Sequence, residues 1–238
     1  EIEQFDPEML DAQFWQQNNA VTGSAQGRGT TWFVKYQHAP SSDPLLGSSL
    51  DPLVDKQWVL RHYYRGGLIG RIINDSYWFN SQSTTRAAKE FDLLTTMQQL
   101  ALPTPRPIAY RVVRHGLLYR ADLLSSRIEN AEDLVAILSN KGLSDELWKK
   151  IGTTIKRFHH HNIYHHDLNA HNILIDNNDN VFVIDFDRGE VRLGNENDWQ
   201  QANIARLQRS FMKELGLLNQ FYFSSDNWVS LLEGYLSN

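Results

Sequence analysis

The 238-residue chain contains no cysteine, which excludes a disulfide framework, thiol catalysis and a structural zinc site built on thiolates. It also lacks any apolar run near the ~20 residues a membrane-spanning helix needs. No hydrophobic leader core follows the acidic start EIEQFDPEML, so a cytoplasmic protein is the expectation. Apolar residues make up 41% and charged residues 21%. Those fractions are ordinary for a globular chain and rule out disordered and collagen-like classes. Seven Trp, nine Tyr and eleven Phe supply core volume. The length allows one large domain or two small lobes.

The net charge of −5 conceals a segregation. Between Lys56 and Arg127 there are eleven Lys/Arg against four acids, a local charge of +7 that leaves −12 elsewhere. A basic block inside an acidic chain fits either an anionic partner or a solvated strand face. Nucleic acid is not expected as a partner, because the whole chain is acidic and carries no DNA- or RNA-binding motif. No protein partner is inferred.

The first third reads as strands. Thr30 to Tyr36 and Gln57 to Tyr63 are β-branched and aromatic, and Leu68 to Ile73 continues after a Gly66-Gly67 turn. HAPSSDPLLGSSLDP, with three of the seven prolines, is a surface excursion between the first two strands. Helical spacing then places Ala87, Phe91, Leu94 and Met97 on one face with Glu90 beside it. Pro103, Pro105 and Pro107 end that helix, and Ile108 to Leu124 is strand-like around a His115-Gly116 turn. Ser144 is set to cap a second helix on which Leu147, Ile151, Ile155 and Phe158 recur. Two short strands follow, 172–175 and 181–184, then a helix from about 198 to 215 burying Ile204, Leu207, Phe211 and Leu215. The predicted architecture is α+β: a small β-rich lobe with one helix over residues 1–122, and a mainly helical lobe over 123–238, linked near Asp122–Arg127.

The strongest chemical signal is His165-x-Asp167-x4-Asn172, followed after an apolar strand by Asp185-Phe186-Asp187. A β-hairpin between the two motifs brings Asp167, Asn172 and Asp185 to one end of the pair. Phosphoryl transfer needs such a set, with one carboxylate to orient the attacking hydroxyl and accept its proton. A second carboxylate and an amide oxygen hold Mg²⁺, a hard ion that prefers oxygen ligands. Single Asp and Asn residues commonly cap turns; it is their combination that points to chemistry.

Upstream, Gly23, Gly27 and Gly29 precede a strand, where glycines let backbone amides approach phosphate oxygens. No Walker Lys-Ser/Thr ending follows, and Arg28 suits either a phosphate or solvent. Arg61, on a strand, and Glu90, on a helix, suit either an ordinary strand–helix ion pair or, by the positions they hold relative to a Val-Ala-Ile-Lys strand and its partner helix, a pair that anchors phosphates, with Arg65 as a competing cation. Six histidines between His159 and His171 form no His-Glu-x-x-His motif. His159, His160 and His161 are consecutive and point in different directions, so a shared zinc ion is not expected. Arg206, Arg209 and Lys213 share one helix face and add to the basic surface.

Taken together, GSAQGRGTTWFV, WVLRHYYRGGL, TRAAKEFDLL with PTPRP, and HHDLNAHNIL with VIDFDRGEVR resemble the protein-kinase-like superfamily. Within it they look most like the lipopolysaccharide branch, the 3-deoxy-D-manno-octulosonic acid (Kdo) kinases. The resemblance spans roughly residues 20–215. It implies a bilobal fold with ATP in the cleft and a hinge near Asp122–Arg127. It further implies γ-phosphate transfer to the 4-OH of Kdo on a lipid A precursor, at the anionic cytoplasmic face of the inner membrane. By position it makes Asp167 the catalytic base, Asn172 and Asp185 the Mg²⁺ ligands, and Arg61 with Glu90 the phosphate anchor. Gly23, Gly27 and Gly29 would cover the phosphates.

The chain departs from ordinary protein kinases in having Arg61 for Lys, His166 for Arg and Asp187 for Gly, and in having no proline beyond Pro107, hence no Ala-Pro-Glu segment. Activation-loop switching and peptide substrates are therefore not expected. Two rival readings stay open here: a small-molecule kinase of the aminoglycoside or choline phosphotransferase type, and a non-catalytic pseudokinase that binds a membrane or protein.

Overall fold

The alternation that marks the early strands builds one antiparallel sheet. The structure is a computed structural model describing residues 5–26, 30–36, 57–63, 77–193 and 198–237. The chain divides into two compact units, Glu1–Phe91 with Arg106–Arg127, and Asp92–Pro105 with Ile128–Asn238. Gly27, Arg28, Gly29, the proline-rich excursion, Arg65 and the expected strand at 68–73 lie outside the described residues.

In the first unit a 3₁₀ turn, Pro7–Leu10, leads into α1 (Ala12–Gln17), β1 (Val21–Gln26), β2 (Thr30–Lys35), β3 (Gln57–His62) and β4 (Tyr77–Trp78). Then come α2 (Arg86–Gln99), β5 (Pro107–His115) and β6 (Leu118–Ser126). The strands run in the order β1-β2-β3-β6-β4, with β5 also paired to β6. Gly116 makes the β5–β6 turn at φ +63°, a conformation that costs glycine little. The period-2 geometry of β3 sends successive side chains to opposite faces. Trp58 and Leu60 join Met9, Leu10, Trp15, Val34 and Leu124 in a core on one face. Trp15 meets Trp58 edge-on at 5.8 Å, and Tyr36 stacks on Trp58 at 4.4 Å. Arg61 goes to the other face, toward α2.

Much of the basic block is consumed inside this unit. Arg111 binds both Asp11 (2.7 Å) and Asp122 (2.9 Å), and its guanidinium holds the Asp11 carboxyl below its ordinary pKa. Arg127 donates to the Gln57 side chain and lies over the Phe33 ring. Arg86 donates to the Tyr77 hydroxyl and lies over the Tyr63 and Tyr77 rings.

The second unit takes the last residues of α2 and the proline segment, because their free backbone groups bond there. Val183 N–H donates to Pro103 O (3.0 Å), and the Arg157 guanidinium donates to Ala101 O (2.7 Å). Its elements are β7 (Ala131–Asp133), α3 (Leu134–Asn140), α4 (Asp145–His160), β8 (Ile163–Tyr164) and β9 (Ile173–Asp176). They continue as β10 (Val181–Val183), β11 (Glu190–Val191), α5 (Asp198–Leu217) and α6 (Ser225–Leu236). Ser144 caps α4 by accepting from Leu147 N–H, Asp145 and Glu146 sit in its first turn, and Leu147, Ile151, Ile155 and Phe158 are buried, as the spacing predicts. α4 packs on α6 through glycine: a Cβ on Gly152 would lie 2.0 Å from Leu231 O. The fold class is α+β, with the sheet-rich unit first and the helix-rich unit second.

On α5 the expected face needs one correction. Ile204, Leu207 and Phe211 are buried, but Leu215 is 40% exposed and Glu214 is buried instead. Glu214 is tolerated there because Lys213 (3.4 Å) and His171 (3.8 Å) lie near its carboxylate.

Candidate active site

The segment from His165 to Asn172 leaves β8, makes a 3₁₀ turn at Ala170–Asn172 and enters β9. Four hydrogen bonds close it into a ring. Asp167 N–H donates to His165 Nδ1 (3.1 Å), and His165 Nε2–H donates to Ile184 O (2.9 Å). Ile184 N–H donates to Asn172 O (3.0 Å), and Asn172 Nδ2 donates to Asp167 O (2.9 Å). The bonds assign the atoms: Nδ1 of His165 must be the acceptor, and the Asn172 amide must turn its nitrogen to Asp167. Burial pushes the His165 pKa down, while the nearby charges of Asp185 and Asp167 pull it up. The neutral imidazole is the form this ring needs, since a proton on Nδ1 would face the Asp167 N–H.

Asp185 follows directly. It sits at φ +61°, a left-handed conformation that Asp adopts more readily than most residues. The backbone turn leaves Asp185 exposed and buries Phe186, whose ring lies 4.7 Å from His165 and 5.5 Å from Phe158. Asp167 and Asn172 thus belong to one hydrogen-bonded assembly around His165, and Asp185 adjoins it in the chain through Ile184. The Asn172 oxygen and the Asp185 carboxylate are hard donors of the kind Mg²⁺ takes, so the residues fit that ion.

α5 rivets this assembly with polar residues on an otherwise apolar face. Asn203 is buried and exchanges two bonds with the His165 backbone, and Ser210 Oγ accepts from Ala170 N–H (3.0 Å). Between them, Arg206 donates from Nε (2.9 Å) and from Nη2 to Asp167 Oδ1. Sequence reasoning missed Asn203 and Ser210 and gave Arg206 to the surface stripe with Arg209 and Lys213. The available signal was two small polar residues seven positions apart, flanking Leu207 and Phe211. The Asp167 and Arg206 side chains are about half exposed, at 45% and 47%. Ion pairs this open are worth about 0–1 kcal/mol, so the contact is easily exchanged.

In the first unit Arg61 Nη2 donates to Glu90 Oε1, and the Tyr63 hydroxyl donates to Glu90 Oε2 (2.7 Å). Glu90 is 3% exposed, and burial, then the Glu90 charge, holds Tyr63 well above the usual phenol pKa. Gly23 lies within β1, opposite Phe33 of the following strand β2. Gly27 and Gly29 fall outside the described residues, as does Arg65.

The family model described as "Lipopolysaccharide kinase (Kdo/WaaP) family" matches residues 12–235. A protein of Vibrio cholerae named 3-deoxy-D-manno-octulosonic acid kinase is 49% identical over 85% of this chain and 78% of its own length. Namesakes from Photobacterium profundum and Mannheimia succiniciproducens are 44% identical (97% of this chain, 93% of theirs) and 47% identical (95% and 89%). A solved structure, the kinase of Cydia pomonella granulovirus, is similar with a TM-score of 0.47 at 16% identity, covering 78% of this chain and 58% of that one. With its family model matched over nearly its whole length, and with relatives above 40% identity, the chain belongs to the lipopolysaccharide kinase (Kdo/WaaP) family.

Proposed function

We propose that the chain is an ATP-dependent Kdo kinase, transferring the γ-phosphoryl group to the 4-hydroxyl of a Kdo residue on a lipid A precursor. The family and the names of its relatives support the phosphotransferase class and the Kdo acceptor. The observation that carries the chemistry is the ring through His165, which fixes the backbone of Asp167 and Asn172 and ends one residue before Asp185. In this reading Asp167 takes the proton of the attacking hydroxyl as the new O–P bond forms and ADP leaves. Asn172 and Asp185 hold Mg²⁺, which would offset phosphate charge. In the first unit the Arg61–Glu90 pair steadies the triphosphate, and the glycines of residues 23–29 cover it.

Peripheral attachment to an anionic membrane follows from a lipid-linked acceptor. No helix among the described residues is long and apolar enough to cross a membrane. Arg209 and Lys213 are exposed on α5 near Met212 and Leu217, which are 55% and 66% exposed, a mixture suited to a headgroup boundary. The deciding experiment is mass spectrometry of the Kdo–lipid A precursor after incubation with protein, ATP and Mg²⁺. One added phosphate on Kdo is expected, and Asp167→Asn should lower kcat by roughly 10²–10⁴. Asp185→Asn should abolish Mg²⁺-dependent nucleotide binding by calorimetry. An unmodified acceptor, or undiminished turnover in Asp167→Asn, would overturn the reading.

A further inference from the structure

Arg206 reaches Asp167 from a helix that is fixed on both sides of it. Asn203, one turn earlier, and Ser210, one turn later, bind the backbone of His165 and Ala170. The Cα of Arg206 is therefore held against the loop, while its guanidinium stays half in solvent. Both of its donating nitrogens fall on one oxygen, Oδ1. Oδ2 of Asp167 has no hydrogen-bond partner among the described residues. A guanidinium meant only to brace a carboxylate is best satisfied by forking across both oxygens. Here one oxygen is open to an incoming hydroxyl, and the cation beside it can be reached by a ligand.

We propose that Arg206 is the receptor for the acceptor's carboxylate, exchanging its bond to Asp167 for that group as the acceptor hydroxyl docks on Asp167. The inference rests on the Kdo kinase reading above. Kdo carries its carboxylate on carbon 2 and the proposed acceptor hydroxyl on carbon 4, so the two groups lie close together on one ring. A sugar that presents its 4-hydroxyl to Oδ2 brings a carboxylate into reach of the guanidinium on Oδ1. A neutral sugar brings no anion and leaves Arg206 on Asp167. The acid is thus selected at the base itself, by a planar fork that matches carboxylate geometry.

The test compares two acceptors, a Kdo–lipid A precursor with its free carboxylate and the same molecule as its carboxamide. Each is titrated against wild type, Arg206→Gln and Arg206→Lys. Wild type is expected to favour the acid by roughly 10–100-fold in kcat/KM, the range for one charge-assisted contact. Arg206→Gln should raise KM for the acid at least about 10-fold, bring the acid-to-amide ratio near one and leave KM for ATP unchanged. Arg206→Lys, which keeps the charge but not the fork, should retain part of the preference. The proposal is overturned if Arg206→Gln keeps the wild-type ratio and loses only kcat, the signature of a brace on Asp167. A rise in KM for ATP at fixed acceptor KM would also overturn it, assigning Arg206 to phosphate. Should Arg206→Gln fail to fold, an unchanged ratio in Arg206→Lys overturns it alone. Failure of wild type to phosphorylate the acid acceptor would instead sink the activity reading, and this inference with it.

Discussion

Asn203 and the main chain of His165 exchange two hydrogen bonds: Asn203 Nδ2 donates to His165 O (3.0 Å), and His165 N–H donates to Asn203 Oδ1 (3.3 Å). A side-chain amide carries a donor and an acceptor side by side, so it can pair with a backbone C=O and N–H at once. Asn203→Ala would leave both backbone groups buried and unpaired. The expected loss is about 2–6 kcal/mol, at roughly 1–3 kcal/mol for each of the two orphaned groups, measured as a lower urea midpoint. Because His165 also holds Asp167, kcat should fall about 10-fold or more. Full stability in the variant would show that the rivet is dispensable.

Arg61 and Glu90 give a second test. Glu90 is nearly fully buried and Arg61 is about a quarter exposed. Removing one member of a buried pair costs about 3–5 kcal/mol, whereas replacing both with apolar groups often costs little. Arg61→Met should therefore destabilise strongly, and Arg61→Met/Glu90→Met should recover most of the loss. A double-mutant cycle in denaturant measures the coupling, and additive single effects would contradict it. Both variants should raise KM for ATP if the pair anchors phosphates.

Helix packing in the second unit depends on two missing side chains. A Cβ on Gly152 would lie 2.0 Å from Leu231 O, and one on Gly234 would lie 2.0 Å from Lys149 O. In each case the obstacle is backbone, which cannot rotate away. Gly152→Ala is expected to cost about 3 kcal/mol or more, the upper end for overpacking, and to lower Tm by roughly 10 °C. An unchanged melting curve would mean that α4 and α6 can separate without loss.

Acid sensitivity follows from the buried histidines. Burial lowers the His159 pKa from 6.5 to about 4, and its Nδ1 bonds the Tyr235 hydroxyl at 2.7 Å. As pH falls below 6.5 the unfolded chain takes up a proton that the folded one refuses until about pH 4. Stability present above pH 6.5 is therefore lost progressively down to about pH 4, by about 3 kcal/mol at most for this residue. His165 is displaced in the same direction, again chiefly by burial. Urea midpoints at pH 7.5, 6 and 5 should fall, and less steeply in His159→Gln. Parallel slopes in the two proteins would refute the assignment.

Local order was legible wherever it rests on local chemistry. The cap at Ser144, the apolar face of α4 and the turn at Gly116 follow from spacing and backbone preference. α6 carried a readable signal that went unused, a capping box at Ser224 and Asn227. α3 was harder. Its seven residues, LVAILSN, are mostly buried and show no clear alternation of faces, and a short apolar run is ambiguous between helix and strand. β4, β8 and β11 have two residues each, too few for any period to register.

Asp167, Asn172 and Asp185 were legible as candidates from the residues alone, because they flank one short hairpin, β9–β10, whose geometry is local. Arg61 on a strand and Glu90 on a helix were legible as opposite charges, while their contact is seen in the fold. Which segment lies against the polar flank of α5 was settled by packing across the second unit. Helical spacing groups Arg206 with Arg209 and Lys213 as well as with Asn203 and Ser210; the apolar period turns Ile204, Leu207 and Phe211 inward but does not name the segment that meets the flank carrying Arg206. The choice was made by packing. Ile204, Leu207 and Phe211 bury one side of the helix, and that rotation carries Arg206 to a carboxylate 39 residues earlier in the chain. A contact at that separation is fixed by the whole unit and leaves no local trace in the sequence.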